Sequence, residues 1–189
     1  SLGISPKTQI WLLNVAKAEP DLIAVLKAYE KVHIAVGGQL LHSIFAYDEG
    51  DDGCIPVEAI KTLVISEDFD GYRQLASIPR SGKLRRLPSV RRLVVQQYQI
   101  AQDNYISPNG RKTHPIALLL VVMPALRVLD LEDHFVQPEL IADFASPQLK
   151  ELYIGASGNS LFWCNDELER HLPRLKCLKR IRLPHECLT

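Results

Sequence analysis

The sequence predicts an α/β fold, a curved solenoid with parallel strands on its concave side and helices on its convex side. Three observations carry this expectation. An eight-residue phrase holding one proline and three aliphatics recurs along the chain. The last two aliphatics of each copy stand two residues apart, which is the strand period. Helix-like stretches lie between copies, and such units repeated with one handedness give parallel strands, because the chain must cross back before each new strand.

The phrase appears as Pro88-Ser-Val90-Arg-Arg-Leu93-Val-Val95, as Pro124-Ala-Leu126-Arg-Val-Leu129-Asp-Leu131 and as Pro147-Gln-Leu149-Lys-Glu-Leu152-Tyr-Ile154. Looser copies flank these. Ile60-Lys-Thr-Leu63-Val-Ile65 has its proline upstream at Pro56, Leu178-Lys-Arg-Ile181-Arg-Leu183 follows Pro173, and Tyr29-Glu-Lys-Val32-His-Ile34 follows Pro20. Central aliphatics at 32, 63, 93, 129, 152 and 181 give steps of 31, 30, 36, 23 and 29 residues. Such spacing is the mark of a repeat architecture, in which stacking buries a core that no single unit could bury. Proline resists continued helix, so each one parts a helix from the strand that follows.

The intervening helices are expected over Thr8–Ala18, Gln39–Ala46, Pro115–Met123, Gln137–Ala145 and Asn165–Leu172. Pro138 suits the first turn after Gln137, where a missing N–H costs little. Asn165 with Asp166 and Glu167 suits a helix start, and Leu168 and Leu172 then share one face. One domain is expected over 1–189: an N-terminal repeat or cap at 1–47, an acidic loop at 48–57, and clearer repeats at 58–183.

The Leu-x-x-Leu-x-Leu core of these phrases resembles the leucine-rich repeat. Its irregular length and Pro-x-Leu lead-in look most like the divergent repeats of fungal F-box-type proteins. The resemblance covers Glu58 to Leu183 well and Ser1 to Tyr47 weakly, and it implies a protein-interaction scaffold, with a ubiquitin-ligase receptor as its most specific version. Two departures stand against it. Asp68, Tyr98, His134, Ser157 and Glu186 occupy the places where the family's asparagine satisfies turn backbone. No F-box helical motif is visible, so no adaptor-binding role transfers to any residue.

Composition narrows the function classes. The chain has 189 residues with 22 basic and 22 acidic side chains, a net charge of zero. A neutral chain lacks the global field that draws proteins to nucleic acid or anionic membrane, and its weak colloidal protection suits a subunit or fragment. The start at Ser1, with neither Met nor a signal-like core, also reads as a fragment. The longest apolar run, Pro115 to Ala125, is too short to span a bilayer. Cys54, Cys164, Cys177 and Cys187 form no C-x-x-C pair and have no His at zinc spacing, so they read as reduced structural thiols. Together with the absence of an N-x-[ST] acceptor, this points to a cytoplasmic or nuclear setting.

No catalytic constellation is expected. The acidic loop Asp48 to Gly53 puts Gly50 and Ala59 where a calcium loop needs oxygen ligands, so a solvated connection accounts for it better. The histidines (33, 42, 114, 134, 171 and 185) show no H-x-x-x-H spacing, and no nucleophile elbow, P-loop or dinucleotide fingerprint occurs. Gly155-Ala-Ser157-Gly158 reads as a turn, and Cys164 beside Phe162 and Trp163 reads as a buried thiol. Phe162 and Trp163 are candidate loop anchors for a partner, against the plainer role of covering one end of the core. The run Arg80, Lys83, Arg85, Arg86, Arg91 and Arg92 is a candidate acidic or phosphate contact, against the plainer reading of a polar linker with snorkelling side chains.

The outward strand positions are the better binding site, since a solenoid presents them together. Alternation assigns Lys31, His33, Thr62, Val64, Ser66, Arg92, Val94, Gln96, Val128, Asp130, Glu132, Glu151, Tyr153, Arg180 and Arg182 to that face. Its mixed charge suits a protein or peptide partner, within a larger complex, better than a polyanion. Neither cofactor, metal nor membrane is expected. The alternatives from other classes are a small open-sheet α/β enzyme or ligand-binding domain, in which strands follow any order, and a secreted repeat-type effector with disulfide-bonded cysteines.

Overall fold

Short runs dense in Val, Ile and Leu favour extended backbone, and a buried face fixes their register, because a one-residue slip would turn every aliphatic outward. In a computed structural model of the chain, residues 9–15, 20–36, 44–45, 57–65, 85–96, 115–132, 136–155 and 165–183 are described. They contain strands β1 (Ile10–Val15), β2 (Val32–Val36), β3 (Ile60–Ile65), β4 (Arg92–Val95), β5 (Val128–Leu131), β6 (Glu151–Ile154) and β7 (Arg180–Arg182). The helices are α1 (Pro20–Lys27), α2 (Pro115–Val122), α3 (Pro138–Phe144) and α4 (Asn165–His171). Short 3₁₀ turns cover Val57–Ala59 and Leu172–Arg174.

The fold is α/β with one seven-stranded sheet, every adjacent pair parallel and the order β1-β2-β3-β4-β5-β6-β7. Each strand therefore pairs only with those before and after it in the chain. The registers align one aliphatic per strand into a continuous row: Leu12, Ile34, Leu63, Leu93, Leu129, Leu152 and Ile181. Two residues on, Val36, Ile65, Val95, Leu131 and Ile154 make a second row. Leu63, Leu93, Leu129 and Leu152 are fully buried, in one cluster with Leu26, Ile116, Leu119, Leu120, Met123 and Ile141 from the helical segments. Removing a buried Leu or Ile side chain from water contributes roughly 1.5–3 kcal/mol, so these rows are a main source of stability. Helix α2 packs on α3, and α3 on α4, beside the sheet.

The proline lead-ins form one recurring turn. Val90 N–H donates to Leu87 O, Leu126 to Met123, Leu149 to Ser146 and Leu178 to Leu175, at 2.9–3.4 Å. Pro88, Pro124 and Pro147 take the second position of three of these turns, where a fixed φ near −65° is already correct. Lys176 takes it in the fourth, and Pro173, expected to mark that copy, lies in the 3₁₀ turn upstream.

Two expectations are corrected. Thr8–Ala18 was expected to be helical, but Ile10–Val15 is β1, because its apolar residues pair along β2 and become an edge strand. The helix in that part of the chain is α1, which begins on Pro20 and carries Asp21 in its first turn. The first marker aliphatic is Ile34 rather than Val32: Val32 lies opposite Ile60, and a bulge before His33 brings Ile34 opposite Leu63. The bulge changes the register by one residue, but the marker moves two along β2, from Val32 to Ile34, so inward and outward positions of β2 keep their sides.

Other helical expectations fit the described residues. Helices α2, α3 and α4 lie within the expected Pro115–Met123, Gln137–Ala145 and Asn165–Leu172. Gln137 is the N-cap of α3 with Pro138 in its first turn. Of Gln39–Ala46, Ile44 and Phe45 are described, and both are helical and buried. The acidic loop at 48–53, the Asn-substituting positions, Arg80, Lys83, Ser66, Phe162, Trp163 and three of the four cysteines lie outside the described residues. Cys177 is a free, exposed thiol. No described helix is long and apolar enough to cross a membrane.

Candidate partner-binding face

The strand period that sends the leucine rows into the core sends their neighbours to the opposite face. Register stacks these neighbours into two rows. The first runs Trp11, His33, Thr62, Arg92, Val128, Glu151 and Arg180, and the second runs Ala35, Val64, Val94, Asp130, Tyr153 and Arg182. Gln96 and Glu132 extend a third row past the strand ends, their N–H groups donating to Ile65 O and Val95 O at 2.9 and 3.0 Å. Lys31, exposed, sits just before β2. All the described residues assigned to this face by alternation are therefore placed together.

They are not equally accessible. Val94 is only 6% exposed and Thr62 also 6%, although both lie on this face. Val94 was expected to offer partner contact, and that expectation is corrected. In the sheet's middle it is flanked across the ladder by Val64 and Asp130, one strand spacing away on either side. Besides Lys31, the exposed residues of this face are Trp11 on β1, Arg92 on the middle strand, Glu132 past β5, and Arg180 and Arg182 on β7.

From β4 to β7 the charges engage one another. Arg92 Nη2 lies 3.6 Å from Asp130 Oδ2, and Arg180 Nη1 lies 3.5 Å from Glu151 Oε1. Tyr153 donates its hydroxyl to Glu151 Oε2 at 2.6 Å. The two ion pairs are diagonal and neighbouring pairs across adjacent strands, contacts through which sheets gain side-chain stabilisation, whereas the Tyr153–Glu151 bond lies along β6 itself. Burial pushes the Asp130 carboxyl above its usual range, while Arg92 and Arg182 pull it back. The hydrogen bond to Glu151 holds the Tyr153 phenol above its ordinary value, helped by residual desolvation and the carboxylate charge and opposed by Arg180.

At the N-terminal end Trp11 is 58% exposed and stacks on His33, with ring centroids 4.0 Å apart and planes 12° from parallel. His33 Nδ1 lies 2.8 Å from Thr62 Oγ1, whereas its Nε2 is buried with no hydrogen-bond partner. Desolvation, then the nearby Lys31 charge, holds His33 below its ordinary value, so the ring is neutral near pH 7. Trp11 lies in the segment whose composition suggests a helix, so alternation along the other strands does not point to it. The alternation of Ile10 and Leu12 about Trp11 was the available signal.

Chemically, this arrangement is suited to recognition. It offers one exposed indole, one phenol and three guanidinium groups, the side-chain types that dominate protein interfaces. Among the described residues no group of three His, Cys, Asp or Glu side chains could hold a metal ion. Compared with known proteins, the chain matches no family model and no curated protein sequence.

Proposed function

We propose that the chain is a leucine-rich-repeat-like solenoid acting as a non-enzymatic protein-interaction scaffold, which grips a protein or peptide partner on the outward strand face. One observation carries the reading: seven parallel strands succeed one another in strict sequence order, with one aliphatic row in register throughout. A solenoid requires neighbours in that order, whereas an open-sheet enzyme tolerates any order. Trp11 and Tyr153 supply anchors at opposite ends of the face, and Arg92, Asp130, Glu151, Arg180 and Arg182 supply complementary charge. The ubiquitin-ligase-receptor version rests on the sequence resemblance alone.

The test replaces Arg92, Asp130 and Tyr153 together with Ala. Partners captured by the wild-type chain are identified by mass spectrometry and their affinities measured on purified protein by calorimetry. The triple variant is expected to lose capture while its unfolding transition stays cooperative; undiminished affinity overturns the proposal. A control at the exposed helix residue Val121 is expected to keep the affinity.

A further inference from the structure

The residue before the first outward row is basic in each of the five strands β3 to β7. Arg92 lies opposite Thr62, Val128 opposite Arg92, Glu151 opposite Val128 and Arg180 opposite Glu151. One residue earlier, that register aligns Lys61, Arg91, Arg127, Lys150 and Lys179. The backbone ladder joins them directly: Arg91 N–H donates to Lys61 O, Arg127 to Arg91, Lys150 to Arg127 and Lys179 to Lys150, each at 2.8 Å. With only 22 Lys and Arg among 189 residues, five basic residues among the seven that precede this row, where Ile10 and Val32 are the other two, far exceeds what composition supplies.

Like charges directly opposite across a ladder are destabilising. The fold relieves little of this repulsion. Among the described residues none of the five forms an ion pair, and Lys61 alone places its ammonium, on Glu58 O at 3.2 Å. Burial, then Arg91 and Lys31, hold the Lys61 ammonium below its usual range. Glu58, which faces Arg85 at 4.0 Å, and the exposed Glu30 are the acids near the β2–β3 end. From β4 onward the turns that lead into the strands, Pro88-Ser89, Pro124-Ala125, Pro147-Gln148 and Lys176-Cys177, contain no acid.

We propose that this strand-start edge is a second binding surface, distinct from the outward face, that takes an extended acidic peptide segment of a partner protein. Strands about 4.8 Å apart spread the five cations over roughly 19 Å, the reach of five or six extended residues. Pro88, Pro124 and Pro147 are exposed beside the row and offer apolar contact between the charges. A peptide can use both chemistries. A single-stranded nucleic acid fits less well, because neither the row nor these turns carries an aromatic ring on which bases could stack.

The test uses fluorescence anisotropy with a labelled ten-residue peptide of alternating Glu and Ala, its Gln-Ala counterpart, and a ten-nucleotide oligothymidylate. The Glu peptide is expected to bind, to weaken as salt rises, and to outbind both others. Neutralising three cations together (Arg127→Gln, Lys150→Gln, Lys179→Gln) is expected to weaken it by about tenfold or more, the scale of three exposed ion pairs. Replacement by the other basic residue (Arg127→Lys, Lys150→Arg, Lys179→Arg) is expected to retain it. Arg92→Gln, one residue away on the outward face, is expected to leave it unchanged, which separates this surface from the one proposed above. A thermal midpoint no lower than wild type shows that the neutralised variant is folded. Equal affinity for the Glu and Gln peptides, an unaffected neutralised variant, or tighter binding of the oligothymidylate overturns the proposal.

Discussion

His33 combines three features that rarely coincide: an exposed tryptophan stacked on its ring, a threonine hydroxyl on one nitrogen and no partner on the other. Protonation would place a cation beside Lys31 in a partly desolvated site, which explains the downward shift. The folded state then binds its proton only below the unfolded histidine's range near 6.5. As pH falls through 6.5 the unfolded chain takes up protons first, so this residue's contribution to stability falls with acidification and is fully present above that range. We expect the His33 ring to titrate by NMR with a midpoint below 6.5. Denaturant unfolding of His33→Asn should show less loss of stability between pH 7.5 and pH 5.5 than wild type. A midpoint at or above 6.5 refutes this account. Nothing local in Glu-Lys-Val-His-Ile announces such a site, because Trp11 and Thr62 arrive from strands distant in the chain.

Among the elements, the turns are as informative as the strands. Ser146 is only 3% exposed. Its hydroxyl donates to Pro124 O at 2.6 Å and accepts from Gln148 N–H at 3.1 Å, so it ties the turn before β6 to the turn before β5. One side chain thus satisfies backbone groups in two successive turns. Ser146→Ala leaves that carbonyl and amide short of a partner at about 1–3 kcal/mol, read as a lower urea midpoint at an unchanged slope. Side chains also tie the turn after α4 to α3 and brace α4 internally. Arg174 forms an ion pair with Asp143, and His171 Nε2 lies 3.3 Å from Glu167. The proline-led turns were legible in the sequence because proline dictates φ locally. The sharing of Ser146 was not, since it depends on how closely two turns approach.

For the molecule as a whole, the leucine row makes stability a property of neighbours. Leu129 is fully buried between Leu93 and Leu152, whereas Ile181, on the last described strand of the sheet, is 39% exposed. Leu129→Ala is accordingly expected to cost about 2–5 kcal/mol, and Ile181→Ala well under half as much. Comparable losses at both sites, measured by urea denaturation, would contradict a core that is continuous in the middle and open at its end.

The sequence by itself determined the α/β class, the parallel strands, the three prolines in the turns before β4, β5 and β6, and the side of the sheet on which the residues of β2 to β7 fall. All of these follow from period two, period 3.6 and the fixed φ of proline, which are local. Tertiary structure decided that Ile10–Val15 is a strand, that Ile34 rather than Val32 joins the leucine row, that Val94 is buried and that five basic residues stand in one line. Each of these depends on register between segments some thirty residues apart. Register is set by which aliphatics meet in the core, and a single chain read from end to end does not display that meeting.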